Sequence, residues 1–313
     1  MMTPENKVEN HARRRAELVL FATTFIWGGT FVIVKIGVES ISPFLFVAVR
    51  FTIGSILFAL IFLPRLFSIR WGAVWKGAVL GLLLGAGLAL QTAGIQFTTA
   101  SNSGFITGMM VVFTPLAQLA IERRLPKLGN VLGVLIVTLG LYLLTSPGAS
   151  GFNFGDLLVL IAAFLFGIYI VYLDIFTKEE ETFSIAFTQT ACTALVAWML
   201  VPFETTHFVF NMNLIGILFY TGFLATVVTT YTQTRFQKDS TPTRAAIIFT
   251  FEPVLSAILA YVVLHEILGV TGIIGGTLIV GGILVSELSD TWIGRWSLFR
   301  SKRKWKFDIT EEE

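Results

Sequence analysis

The chain has 313 residues, 55% hydrophobic and 13% charged, with a net charge of +2, 29 phenylalanines and a mean hydropathy of +0.79. A soluble domain carries about a quarter charged residues, so the composition excludes an ordinary soluble enzyme and points to a polytopic membrane protein. The one cysteine, Cys192, allows no intramolecular disulfide and reads as a small buried residue in an apolar run.

Residues 1–16 are polar, hold Arg13-Arg14-Arg15, and are expected to form a cytoplasmic tail. They do not read as a cleavable leader, because the apolar run that follows is a full span with no small-residue cleavage site after it. A bilayer core of about 30 Å needs roughly 20 apolar residues per helix. Ten stretches meet that length: 18–37, 43–63, 73–96, 101–121, 128–145, 156–174, 183–202, 213–234, 244–264 and 270–288. Their connections are short and carry turn signals such as Ser42-Pro43, Ser146-Pro147-Gly148 and Thr241-Pro242. If the amino terminus lies inside, all of the 22 basic residues except Lys35 and Arg50 fall on the inner side, and those two lie within spans. This positive-inside pattern predicts that both termini are cytoplasmic.

The chain repeats itself. Glu17 to Gly28 lies over Asp156 to Gly167 at an offset of 139. Pro64 matches Pro202, and Pro115 matches Pro253, both at an offset of 138. Five spans per half is an odd number, so the second copy is expected upside down relative to the first, an arrangement suited to alternating access. The expected fold is all-α integral membrane, with ten transmembrane helices in two inverted five-helix repeats. Its expected divisions are a tail 1–16, repeats 17–147 and 148–289, and a basic, aromatic cytoplasmic tail 290–313.

Trp27-Gly28-Gly29-Thr30-Phe31-Val32-Ile33-Val34-Lys35, then Ser42-Pro43 and Arg50-Phe51, resemble the opening of the EamA family of the drug/metabolite transporter superfamily. Thr99 to Gly108 leading to Pro115, and Phe251-Glu252-Pro253 with Leu264-His265-Glu266, are similar to later parts of its repeats. The resemblance covers residues 17–289. It implies two inverted repeats around a central cavity lined mainly by helices 1, 3, 4, 6, 8 and 9, and export of small metabolites. His265 departs from the small residue that the family more often has there, and the Pro115-to-Glu122 interval is shorter than Pro253-to-Glu266.

An ionisable side chain at a helix centre costs about 2.5–3.5 kcal/mol on insertion scales, so one that is retained faces protein or water. Arg50 and Glu252 lie deep in spans 2 and 9. They read either as a structural ion pair across the repeat interface or as substrate- and proton-handling groups. Pro253 lacks an N–H and its ring crowds the carbonyl of Phe249, so a helix break is expected beside the carboxylate, with a counterpart at Pro115. Trp27, near the middle of span 1, either stacks on substrate or fills the core. Neutral polar groups in spans 3, 4, 7 and 8 are mostly glue between helices. Gln91, Asn102 and Tyr231 are the candidates among them for substrate contact. Lys35 is expected to snorkel, and Asp174 and His265-Glu266 to form solvated ends or gate ion pairs. Glycines at i, i+4 spacing (Gly77, Gly81 and Gly85; Gly129 and Gly133; Gly272 and Gly276) mark close helix packing or, in spans 5 and 10, a homodimer face.

No Walker-type loop, paired catalytic carboxylates, Ser/His/Asp arrangement or His/Cys metal constellation appears, so no enzyme, cofactor or metal is expected. The Trp292–Lys306 segment suits anionic lipid better than nucleic acid. The expected function is secondary transport, by export or exchange, in a bacterial inner membrane. The substrate would be a small metabolite such as an amino acid or an amphipathic drug-like compound, with protons as the coupling ion. The alternative is a sensor or assembly subunit that keeps the fold without flux.

Overall fold

The computed structural model of the chain describes residues 4–123, 125, 128–144, 152–265, 267, 269–282 and 285. The expected tail 290–313, Glu266 and the Ser146-Pro147-Gly148 turn lie outside them. Every regular element among the described residues is helical, and the chain is a multi-pass membrane protein.

Helix α1 (Pro4–Gly37) runs unbroken through Arg13–Arg15, so residues 4–16, expected as a separate tail, continue the first helix. No proline or glycine interrupts residues 5–27, and Arg13 lies 3.7 Å from Glu17 one turn on. Helix α2 (Pro43–Ile61) begins on a proline, whose missing N–H and fixed φ suit a first helical position. Its next two N–H groups donate to the Glu204 carboxylate at 2.9 and 2.8 Å, which places a negative charge on the positive helix end. After the short α3 (Leu63–Leu66) come α4 (Trp71–Gly94), α5 (Ala100–Gly108), α6 (Met110–Glu122), α7 (Leu128–Leu144), α8 (Phe154–Glu179) and α9 (Thr182–Leu200). Helix α10 (Met212–Phe219) passes into a nine-residue π-helix, Tyr220–Val228, and then α11 (Thr229–Phe236). The chain continues with α12 (Pro242–Phe249), α13 (Phe251–Leu264) and α14 (Val270–Gly282). Among the described residues, eight stretches are long and apolar enough to cross a membrane, with α5–α6, α10–α11 and α12–α13 each taken as one. Helices α7 and α14 are shorter apolar helices at the places of the fifth and tenth expected spans.

Small residues set the closest approaches. A Cβ on Gly81 would stand 2.5 Å from Cys192 Cβ and 2.7 Å from the Gln189 carbonyl, so the Gly77-Gly81-Gly85 face seats α9 against α4. Helices α7 and α14 pack on each other in the same way, with a Cβ on Gly140 falling 2.7 Å from the Gly275 carbonyl. Gly276 meets nothing within 4 Å.

The two halves use the same devices. Gly28 of α1 lies against Leu255 of α13, and Gly167 of α8 lies against Phe113 of α6. Thr99 and Thr241 cap α5 and α12, each hydroxyl accepting from the backbone N–H three residues on. Both capped helices then break, at Met109 and at Thr250, and both continuations end on a left-handed residue, Arg123 and His265, each with φ 56°. Each break lies on the N-terminal side of a proline, the side on which the ring crowds the carbonyl four residues back. Pro115 sits inside α6, six residues past Met109, and Pro253 occupies the first turn of α13, three past Thr250. A proline in a first turn forfeits no helical hydrogen bond, so the helix restarts ahead of Pro253 instead of kinking at it.

Candidate functional site

A cavity lies between the helices and encloses about 870 Å³ of empty space, its open mouth included. Its walls come from α1, α2, α4, α5, α6, α8, the π segment, α11, α12 and α13. This takes in all six helices that the family resemblance implied and adds α2. Most of the lining is apolar or aromatic, including Phe31, Phe51, Leu84, Leu88, Met110, Phe166 and Phe249.

Four of the six candidate contact residues meet here: Trp27, Arg50, Gln91 and Glu252. The Trp27 indole N–H donates to Thr229 Oγ1 at 3.0 Å, and its ring meets Phe249 edge-on at 5.2 Å between centroids. The Gln91 amide donates to Thr107 Oγ1 at 2.8 Å. Glu252 is 8% exposed, and its carboxylate makes no hydrogen bond or ion pair among the described residues.

Arg50 is held differently. Its Nε donates to Thr226 Oγ1 at 2.9 Å and to the Thr221 carbonyl at 3.2 Å, and Nη2 donates to the Ala225 carbonyl at 2.8 Å. All three acceptors belong to the π-helix, whose i→i+5 pattern leaves carbonyls short of their usual α partners. The foreseen Arg50–Glu252 ion pair is therefore not formed, because the guanidinium is turned toward the π segment. Its Cζ also sits 5.2 Å from the centroid of Phe51, a cation–π contact.

Asn102 and Tyr231 lie elsewhere. The Asn102 N–H donates to the cap of α5, at the rim of the bundle. Tyr231 stacks on Phe62 with centroids 5.5 Å apart, within a cluster around Phe58 and Phe183. From α11 it is Thr230 and Gln233 that face the cavity. Tyr169, absent from the candidates above, forms part of the wall and donates to Gln189 Oε1 at 3.0 Å. The available signal was a tyrosine in mid-span, away from the interfacial belts where tyrosine is common. Lys35 does not snorkel. Its ammonium donates to the Ile95 and Thr98 carbonyls at 2.6 and 2.7 Å, where α4 ends. Asp174 is buried and pairs with Lys178 at 2.6 Å.

A model of the EamA-like transporter family matches the chain twice, over residues 14–146 and 153–288. An uncharacterized transporter of Archaeoglobus fulgidus is 34% identical over 280 residues, 90% of this chain and 88% of the relative. The uncharacterized transporter YoaV of Bacillus subtilis is 26% identical over 295 residues, 87% of this chain and 96% of its own. The uncharacterized inner membrane transporter YedA of Escherichia coli is 34% identical over 154 residues, 46% of this chain and 48% of its own. A crystal structure shares the fold with a TM-score of 0.74 at 22% identity, over 90% of this chain and 99% of that one.

Proposed function

We propose, from the premise that this chain belongs to the EamA-like transporter family, that it is a secondary transporter working by alternating access. In this reading the helices form ten crossings in two inverted five-helix repeats, with both termini on the cytoplasmic face of a bacterial inner membrane. Support for the inversion comes from the reciprocal contacts: α1 packs on α13 through Gly28, and α8 packs on α6 through Gly167. Substrate occupies the cavity between the repeats and leaves the cell by export or exchange. The apolar and aromatic walls, with one guanidinium and one carboxylate held apart, suit a small amphipathic metabolite such as an amino acid or a drug-like compound.

The observation that carries the coupling reading is Glu252. A carboxylate deep in a span, facing a cavity and without a bonding partner among the described residues, is a costly group to retain for structure alone. In the cycle it takes up a proton when substrate leaves and releases it when substrate arrives. Trp27 and Gln91 contact the substrate, and Arg50 contributes its charge from the π-helix. In proteoliposomes, Glu252→Gln is expected to abolish uptake driven by a pH gradient while leaving counterflow exchange measurable. Gradient-driven uptake equal to the parent's would remove the proton role from Glu252. A sensor without flux predicts binding of a metabolite panel with no movement of any member.

A further inference from the structure

The sequence repeat sets Glu17 against Asp156, and neither carboxylate belongs to the cavity. Both are buried, at 9% and 3% exposure. Arg244 Nη1 stands 3.1 Å from Glu17 Oε1, and the Ser240 hydroxyl donates to the same oxygen at 3.4 Å. At the other site the Thr98 hydroxyl donates to Asp156 Oδ1 at 2.7 Å, while Asp156 Oδ2 accepts from the Asn153 N–H at 3.0 Å. Ser240 directly precedes Thr241, the cap of α12, and Thr98 directly precedes Thr99, the cap of α5. Each carboxylate thus stands at the head of the apolar part of the first long helix of one half, and reaches the hydroxyl just ahead of the broken helix of the other half.

The two contacts lie at opposite ends of the bundle. Glu17 lies where the apolar part of α1 begins, whereas Lys35, 18 residues on and about 27 Å along the helix axis, donates to the Thr98 carbonyl. The stretch of α1 that lines the cavity, Trp27 to Val34, lies between them.

We propose that Glu17 with Ser240 and Arg244, and Asp156 with Thr98, are two latches that close the cavity at its two ends and open in turn. The inference rests on the alternating-access reading. Each latch joins a long helix of one half to the loop or first turn at the head of the broken helix of the other, so a rigid-body rocking of the halves stretches one while it closes the other. The latches are not equivalent: Arg244 makes the Glu17 contact ionic, and the corresponding residue at the other end is the neutral Asn102.

The test reads accessibility and needs no substrate. Leu88, on the cavity wall, is replaced by cysteine in a Cys192→Ser background, and membrane-impermeant maleimide is applied to right-side-out and to inverted vesicles. Thr98→Val, which exchanges the hydroxyl for a methyl group of similar size, is expected to raise labelling from the Asp156 end by about fivefold or more and to lower it from the other. Glu17→Gln, with Arg244→Gln as its companion, is expected to do the reverse. Thr98→Ser keeps the hydroxyl and should label as the parent, and exchanging charges by Glu17→Arg with Arg244→Glu should restore parental labelling. Folded variants that shift labelling from the same end, or not at all, overturn the latches. Labelling that shifts as expected in a protein that moves no compound keeps the latches and overturns the transporter reading; flux with unresponsive labelling does the opposite.

Discussion

Glu252 and Arg50 were legible in the sequence for one reason: a charge in mid-span is conspicuous whatever surrounds it. What the sequence could not supply was their partners, because partners depend on neighbouring helices. Arg50 caps carbonyls of the π segment and Glu252 has no bonding partner among the described residues, so the two should respond differently to removal. Arg50→Ala leaves three acceptors without their donor, and a hydrogen bond to a charged group is worth about 1.5–3 kcal/mol. Its thermal midpoint in detergent is therefore expected to fall by several degrees. Glu252→Gln is expected to unfold at or above the parental temperature, since no contact is lost. A midpoint for Arg50→Ala equal to the parent's would mean that the guanidinium does not hold the π-helix. Asn102 and Tyr231 are polar groups within spans, but polarity does not fix the side of a helix. Tyr231 turned to an aromatic cluster and left the wall to Thr230 and Gln233.

Helix positions followed from apolar length, and the glycine face of α4 from its i, i+4 spacing. Interruptions were harder to read. Proline is a visible breaker, yet its position does not give the break's: Pro253 lies in the first turn of α13, three residues past Thr250, whereas Pro115 lies inside α6, six residues past Met109. The π segment has no comparable residue signature. Its sequence, Tyr-Thr-Gly-Phe-Leu-Ala-Thr-Val-Val, reads as an ordinary apolar span, and the form is fixed instead by Arg50 and by the Thr226 hydroxyl donating to the Thr221 carbonyl at 2.8 Å. At the α4–α9 contact, Gly81→Ala would press a methyl group into the Gln189 backbone. A cost of about 1–3 kcal/mol and a lowered yield of monodisperse protein are expected, with Gly276→Ala as the silent control because nothing lies within 4 Å of it.

For the whole molecule, the decisive question is whether α7 crosses the bilayer. At about 1.5 Å per residue its 17 residues span roughly 26 Å, slightly less than the hydrocarbon core. Leu125 and Phe152 flank it and are both exposed. Cysteines placed there in a Cys192→Ser background are expected to react with impermeant maleimide from opposite faces of the membrane. Reaction from one face would bring both halves into the same orientation and remove the inverted repeat, and with it the geometric basis for access from two sides.

The π-helix makes winding itself a variable of the cavity. If Tyr220–Val228 rewound to α form with its nine residues, the tighter winding would turn all of α11 by on the order of 100°, whereas removing one residue at the same time would largely cancel that turn. In the first case Thr230 and Gln233 would leave the wall together and their neighbours would replace them. A change of winding in a stretch that contributes only Ala225 to the lining would then alter what the cavity admits as much as several substitutions within it.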